Sequence, residues 1–364
     1  MVPAVISIVV LGLLVIVHEF GHFLVARWSG VRVLRFSIGF GPCLWTWRWG
    51  HTEYAVSAIP LGGYVKMAGE QQPGPSGATR GKPWEYASKS VGTRARIILA
   101  GPLVNYVVAW LSLWTVFVIG YPEMLPVIGS IVEQTPAEAA GLQPGDRIQE
   151  IAGRPVHTWE EMTKQIYASA DHPLEFLLQR GAQWLTLTIT PKAKEITDPF
   201  GRTKTIGLIG VAPSGAFRTV RVSPVQAFGR TFKQQNEWLG QTLIALWSMA
   251  TGRISVRDSV TGPIGIVYLT SEAVKMGLAP LLFLVSLFSL SLALFNIFPI
   301  PILDGGHLFF LAIEQWRGRP VSLNVQERSA QVAFVLLVTF VVVVCMNDVS
   351  RFGLLEKLSD FFHR

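Results

Sequence analysis

The chain has 364 residues, of which 50% are hydrophobic and 15% are charged. Soluble domains carry about a quarter charged residues, so this composition excludes a wholly soluble globular protein. The formal charge of +7 fits a partner such as nucleic acid or anionic lipid, or the loops of a membrane protein. Two cysteines, Cys43 and Cys345, exclude a disulfide-dense scaffold and a cysteine-rich zinc ribbon.

Four apolar stretches are long enough to cross a membrane, at 3–26, 97–120, 276–303 and 329–347. At about 1.5 Å per residue, each covers a hydrocarbon core of roughly 30 Å, so we predict four transmembrane helices. Glu19 is the one charged side chain within them. A cleaved signal peptide is disfavoured for the first stretch, which lacks a preceding basic segment and a cleavage site.

The loop after the first stretch is basic and rich in glycine. Between residues 36 and 69, alternating apolar and polar residues with many glycines predict short strands with tight turns, a membrane-associated β element. The tryptophans at 45, 47 and 49 predict a ribbon at the membrane interface. A flexible connector is expected at 71–83.

The charge distribution predicts the orientation in the membrane. Residues 27–96 carry ten basic and three acidic side chains, an excess equal to the whole net charge. The positive-inside rule therefore places this loop in the cytoplasm, and the 121–275 region with both termini on the other side. Nucleic-acid binding is disfavoured because the loop has no basic helix and no base-stacking motif.

The region at 121–215 predicts an inserted α+β domain. Strands are expected at 127–132, 147–151, 174–179 and 184–190, with short helices at 136–140 and 158–167. Thr158 and Glu161 have the spacing of a capping box. This order, with Ala140-Gly-Leu-Gln-Pro-Gly-Asp-Arg-Ile148, resembles a PDZ domain. PDZ domains bind peptides by strand addition, which we expect at Ile128, Gly129 and Ile131, and a structural spacer is the alternative.

Residues 224–250 predict an amphipathic helix on the membrane surface, because apolar residues alternate with Arg230 and Lys233 at helical spacing. The predicted division is a first helix at 1–27, a cytosolic or re-entrant β-rich loop at 28–94, a second helix at 95–120, the PDZ domain at 121–215, a membrane-surface helical region at 216–275, a third helix at 276–310, a cytosolic loop at 311–328, a fourth helix at 329–347 and a tail at 348–364.

The first apolar stretch contains His18-Glu19-Phe20-Gly21-His22. Two histidines four residues apart lie on one helical face and can bind one Zn²⁺, while the glutamate between them can act as a general base. A buried charge in lipid costs at least ~2.5 kcal/mol, which argues against a merely structural role for this cluster.

Catalytic zinc has three protein ligands, so one more is needed. The third stretch ends with Asn296-Ile-Phe-Pro-Ile-Pro-Ile-Leu-Asp304-Gly, where two prolines interrupt the helix. Asp304 is the nearest carboxylate. Since the first and third stretches run in the same direction, Asp304 is expected at the same depth as His18 and His22.

These motifs, with a PDZ domain between the second and third stretches, resemble the site-2 protease family of intramembrane zinc metalloproteases, of the RseP type. The similarity covers nearly the whole chain. It includes Phe36-Ser-Ile-Gly-Phe-Gly41, Ile59-Pro-Leu-Gly-Gly-Tyr-Val-Lys-Met67, Ala100-Gly-Pro-Leu-Val-Asn105 and Gly262-Pro-Ile-Gly265.

The resemblance implies one Zn²⁺ per chain held by His18, His22 and Asp304, with Glu19 as the catalytic base. It also implies that Asn296 binds the substrate backbone or the developing oxyanion, that Asn105 shapes the same cavity, and that a β element carrying Gly39 and Gly41 presents an edge to the substrate. Relatives of the RseP type carry two PDZ domains, whereas this chain has room for one. No catalytic role is expected for His51 or His307.

The implied function is regulated intramembrane proteolysis of single-span membrane proteins, such as an anti-sigma factor or a remnant signal peptide, in the inner membrane of a bacterium. One alternative is a membrane-anchored PDZ scaffold with a vestigial metal site. The intact ligand set argues against it. A metal transporter is the third hypothesis, and the second and fourth stretches offer almost no polar groups for it.

Overall fold

A computed structural model of the protein describes residues 2–70, 81–198, 200–255 and 259–351. The chain divides into two compact units, the first made of Met1–Val116, Phe228–Leu239 and Ser259–Arg364, and the second of Phe117–Ala227 and Gly240–Asp258. Most of the connector predicted at 71–83 and most of the tail predicted at 348–364 lie outside the described residues.

The helices, in chain order, are α1 (Val2–Trp28), α2 (Val91–Ile119), α3 (Pro136–Ala139), α4 (Trp159–Tyr167), α5 (Pro224–Ala250), α6 (Pro263–Met276), α7 (Leu278–Ile297), α8 (Asp304–Arg317) and α9 (Leu323–Arg351). The strands are β1 (Val33–Trp49), β2 (Thr52–Met67), β3 (Tyr121–Met124), β4 (Ile128–Ile131), β5 (Arg147–Ile151), β6 (Arg154–Pro155), β7 (Leu174–Arg180), β8 (Gln183–Ile189), β9 (Lys192–Thr197), β10 (Thr203–Leu208), β11 (Val211–Pro213) and β12 (Phe217–Val220).

Four helices among the described residues are long and apolar enough to span a membrane, which is the number predicted. They are Val5–Trp28, Val91–Ile119, Leu278–Ile297 and Leu323–Ser350. The third is shorter than expected. Its helix ends at Ile297, because Pro299 and Pro301 cannot continue the helical hydrogen bonding.

The β element consists of two long strands instead of several short ones. β1 and β2 pair antiparallel, and Phe36 lies beside both Val65 and Tyr54 because the chain bends back within each strand. Gly39 and Gly62 have φ of +88° and +99°, in a region that favours glycine over other residues. Trp45 and Trp49 are largely exposed, as a ribbon at the membrane interface requires.

The region predicted as one membrane-surface segment at 216–275 is divided in the structure. α5 forms where the amphipathic helix was expected, with Ser223 as its N-cap. α6 instead packs against α1 and α7 within the first unit. The membrane-surface position predicted for 216–275 stays a prediction, and residues 263–276 form a helix of their own beside two of the spans.

The N-terminus of α6 is capped by the carboxylate of Asp348, which belongs to the last span. Asp348 of α9 is fully buried and accepts hydrogen bonds from the backbone N–H groups of Gly262 (3.1 Å) and Gly265 (3.0 Å). These two donors have no partner inside α6, so Asp348 satisfies them and fixes α9 to α6.

An Asp348→Ala variant is expected to lower the free energy of unfolding by about 2 kcal/mol, because it leaves two buried N–H groups without an acceptor. Thermal unfolding of the full-length protein in detergent measures the loss. Ser350→Ala is the matched control, since Ser350 is exposed on the same helix. Equal stability of the two variants would contradict the capping role.

The second unit has the α+β order predicted for it. Its four-stranded sheet has the order β6–β5–β7–β8, and the buried side chains of Ile148, Phe176 and Leu178 form its centre. Thr158 is the N-cap of α4, with Thr158 Oγ1 accepting from the Glu161 N–H at 3.0 Å, while the Glu161 carboxylate accepts from the N–H of His157 at 2.9 Å. The hairpin of β9 and β10 and the strands β11 and β12 were not predicted.

The structure disagrees with the predicted peptide groove. One edge of β4 pairs with β11, and on the other edge the Ile128 N–H donates to Asp146 O at 2.8 Å. Ile128 is fully buried, Ile131 packs against the same core, and Gly129 lies directly against Pro213. Because both edges are already bonded, Ile128, Gly129 and Ile131 do not offer a strand edge to a peptide.

Candidate metal centre

Two buried histidines and one aspartate converge between helices of the first unit. His18 and His22 are one helical turn apart on α1, and their Nε2 atoms are 3.2 Å from each other. Asp304 Oδ2 lies 3.0 Å from His18 Nε2 and 3.3 Å from His22 Nε2. Within the described part of the chain, these three residues form the one such cluster of possible metal ligands. The structure thus brings together the three ligands predicted from the sequence.

Asp304 is positioned by the interrupted helix that precedes it. The chain leaves α7 at Ile297, turns through the two prolines and starts α8 at Asp304 itself. A Cβ on Gly305 would overlap the carbonyl oxygens of Ile297 and Phe298, and one on Gly306 would overlap Ile300 O. The two glycines therefore let the turn fold against the start of α8, which holds the carboxylate in place.

α2 supports the two imidazoles from the side. His22 Nδ1 donates to the backbone oxygen of Ile97 at 2.8 Å, which leaves the His22 Nε2 lone pair facing Asp304. A Cβ on Gly101 would lie 2.7 Å from His18 Cε1 and closer still to His22 Nε2. Gly21 of α1 approaches Ala100 O in the same way. Small residues thus allow the two helix backbones to approach closely.

A Gly101→Ala variant is expected to weaken zinc binding at least tenfold, because the added methyl group displaces both imidazoles. Zinc retained against a graded chelator measures the effect. Gly92→Ala is the matched control, since a Cβ at this position on the same helix meets nothing within 4 Å. Retention of zinc by Gly101→Ala as strong as that of the control would refute the crowding argument.

Glu19 faces a cavity of about 530 Å³ that also exposes His22 and Asp304. Tyr64 and Val65 of β2 line the same cavity. β2 therefore forms one wall of the cavity, and Tyr86 and His307 line other parts of it. Burial raises the pKa of the Tyr86 phenol, so the phenol stays protonated beside the carboxylates that line the cavity.

An ion pair connects the helix that begins with Asp304 to α2. Arg94 of α2 donates to the carboxylate of Glu314 of α8, and both side chains are mostly buried. Removal of one member would leave the other charge buried and unpaired, which is costly. This pair therefore holds α8, and with it Asp304, against the helix that supports the histidines.

The donor set fits zinc. Imidazole nitrogen and carboxylate oxygen are its usual ligands besides thiolate, and bonds of about 2.0–2.1 Å in a tetrahedron place ligand atoms about 3.3–3.4 Å apart. The separations of 3.0–3.3 Å between the three donor atoms are close to this value. Three protein ligands leave a fourth position for water or substrate, as in catalytic sites.

The other predicted site residues lie on α2, in the last turn of α7 and at the bend of β1. Asn105 of α2 is fully buried, with its Nδ2 atom 3.4 Å from His18 Nδ1. Asn296 occupies the last turn of α7, before the turn that leads to Asp304. Gly39 and Gly41 have positive φ at the bend of β1, where Gly39 contacts Ile59. His307, for which no catalytic role is expected, lines the same cavity as His22.

Sequence comparison gives consistent relatives. The model of peptidase family M50 matches residues 6–340. A protein of Rhizobium meliloti (strain 1021), provisionally named a zinc metalloprotease, is 35% identical, and the match covers 93% of this chain and 94% of that protein. The regulator of sigma-E protease RseP of Salmonella typhimurium (strain 14028s) is 32% identical, over 94% of this chain and 97% of that protein.

The match to the Salmonella protein also shows a difference in length. Its 447 aligned positions exceed the 364 residues of this chain, so at least 83 of them have no counterpart here. Among solved structures, the PDZ domain of the SdrC-like protein of Listeria monocytogenes matches 25% of this chain and 87% of that domain, with 22% identity and a TM-score of 0.20.

Apolar helices of spanning length, a His–His–Asp cluster and an adjacent glutamate together define a membrane metalloprotease. The family match identifies the group within this class. The chain belongs to peptidase family M50, the site-2 protease family, and it is a zinc metalloprotease.

Proposed function

We propose that this metalloprotease cleaves transmembrane segments of single-span proteins inside the bilayer, with one zinc per chain bound by His18, His22 and Asp304. The observation that carries the proposal is the position of the cluster, whose histidines lie within a helix of spanning length. The name of the Salmonella relative, a regulator of sigma-E protease, supports an anti-sigma factor as one substrate class, and remnant signal peptides are another.

The reaction needs an activated water and a proton carrier. Zinc, when bound, polarises the scissile carbonyl and lowers the pKa of a coordinated water. Glu19, which faces the cavity beside His22, accepts the proton of the attacking water and delivers it to the leaving amine. Asn296 is the proposed donor to the substrate backbone or to the developing oxyanion.

The substrate must unwind before it can be cut, since the amides of a transmembrane helix are all bonded internally. β2, whose Val65 lines the cavity together with Glu19, forms the wall along which an extended segment would lie. The bend that contains Gly39 and Gly41 gives the β element the shape for this contact. An extended segment beside Glu19 places its peptide bonds within reach of the base.

We place the protein in the inner membrane of a bacterium, with the metal centre near the cytosolic side and the PDZ-like unit outside the cytoplasm. The basic 27–96 loop supports this orientation. Reporter fusions at residue 180 test it. A fusion that is active only as a cytoplasmic reporter would reverse the assignment.

The function is tested with purified full-length protein in vesicles that contain a single-span substrate. We expect one cut within the apolar segment, loss of cleavage after chelation and recovery with zinc. Binding of the substrate without cleavage, in protein that holds zinc, would instead support a membrane-anchored PDZ scaffold with a vestigial site.

A further inference from the structure

One face of α2 carries three residues that each contact the histidine pair. Ile97, Gly101 and Asn105 are spaced by four residues, so they lie one above another on the helix. Ile97 contributes its backbone oxygen to His22, and Gly101 contributes the space for both rings. The third member, Asn105, approaches His18 with its side-chain amide.

The amide of Asn105 is buried and only half satisfied. Its side chain has no exposure, and its Nδ2 atom lies 3.4 Å from His18 Nδ1. Its Oδ1 atom has no hydrogen-bond partner among the described residues. Buried polar atoms of this kind are rare in proteins, so an unpaired amide oxygen next to a metal ligand calls for an explanation.

A half-turn of the amide gives its oxygen a hydrogen-bond donor, His18 Nδ1–H. It exchanges Oδ1 and Nδ2 with almost no change of shape, so the orientation is decided by the hydrogen bonds. After the exchange, Oδ1 accepts the Nδ1–H of His18. His18 then has its proton on Nδ1 and a free lone pair on Nε2, the atom that lies 3.0 Å from Asp304 Oδ2. This matches the arrangement of His22, whose Nδ1 donates to Ile97 O.

We propose that Asn105 is a positioning residue for the metal centre: its Oδ1 accepts from His18 Nδ1–H and holds that imidazole with Nε2 free to bind the metal. The inference rests on the proposed zinc site and gives Asn105 a different role from the cavity-shaping one that the resemblance implies. Metal-bound histidines are oriented in this way by a carbonyl or carboxylate acceptor on the other ring nitrogen.

The helix backbone around Asn105 is fixed to the helix that leads to Asp304. Ser289 of α7 donates to the backbone oxygen of Asn105 at 2.7 Å, and Ser286 donates to Ala109 O at 2.7 Å. All four residues are completely buried. Asn105 therefore projects from a rigid frame, which is what an orienting acceptor requires.

The test compares zinc affinity, by competition with a graded chelator, in full-length Asn105→Leu and Asn105→Asp proteins. Asn105→Leu removes the acceptor at similar volume and is expected to weaken zinc binding 10- to 100-fold. Asn105→Asp keeps an acceptor for Nδ1–H and is expected to stay within a few-fold of wild type. Asn324→Leu is the matched control, since it makes the same change at an exposed position near the start of α9.

Asn105→Ala replaces the leucine variant in the comparison if the latter does not fold. Wild-type zinc affinity in the variant without an acceptor would overturn the inference, and so would an Asp variant as weak as that one. His18→Ala separates the inference from the proposed site. If wild type and His18→Ala bind zinc equally, the proposed site itself fails, whereas loss in His18→Ala with no loss in the Asn105 variants rejects only the role of Asn105.

Discussion

A Glu19→Gln variant is expected to bind zinc as wild type does and to cleave a single-span substrate about 10²–10⁴ times more slowly. The amide has the shape of the carboxylate but cannot accept a proton from water. The zinc ligands His18, His22 and Asp304 are unchanged, so metal content is preserved. Elemental analysis and initial cleavage rates in vesicles measure the two quantities on the same preparation.

The matched control is Glu327→Gln, a change of the same chemistry at an exposed position near the start of α9. It should retain both zinc and activity. Turnover by Glu19→Gln close to that of the control would remove Glu19 from the mechanism. The variant, once inactive, also serves to trap membrane proteins that bind the site, which would identify the substrate class.

An Asp304→Ala variant is expected to bind zinc more than 100-fold more weakly than wild type and to lose cleavage activity as a result. Two histidines on one helix provide only two of the three protein ligands that catalytic zinc requires. Asp304 Oδ2 is the atom within 3.3 Å of both Nε2 atoms, so no other described carboxylate can replace it at this distance. Elemental analysis after dialysis measures the metal content.

Asp198→Ala provides the comparison for this variant, because Asp198 lies in the second unit, where it accepts from Arg202. It should leave zinc unchanged. Full occupancy of Asp304→Ala would mean that the third ligand comes from another residue, and the cleavage assay would then show whether that alternative ligand set is active.

The ligands could be predicted because each of them has a chemical identity that the sequence displays. The spacing of His18 and His22 places both on one face of a helix, and Asp304 follows from its depth in the third apolar stretch. The support from α2 could not be predicted in the same way. Ile97 contributes only a backbone oxygen and Gly101 only the absence of a side chain, so neither differs from an ordinary residue of an apolar helix.

The fold was predictable where periodicity was strong. The four spans and α4 appeared where length, hydrophobicity and capping residues indicated them. β9 and β10 were missed because their polar residues form a hairpin through backbone pairing rather than through an apolar face. The peptide groove predicted at β4 disagrees with the structure for a related reason. The sequence of a strand does not tell which later segment pairs with it, and here β11 pairs with β4.

The pairing of β3 with β12 bears on how this family varies in length. Tyr121 lies opposite Val220, so the two ends of the 121–220 segment lie side by side within the second unit. An insertion whose two ends meet adds little strain to the segments that receive it, whatever its size. The segment between β3 and β12 can therefore differ in length between family members without separating its two ends.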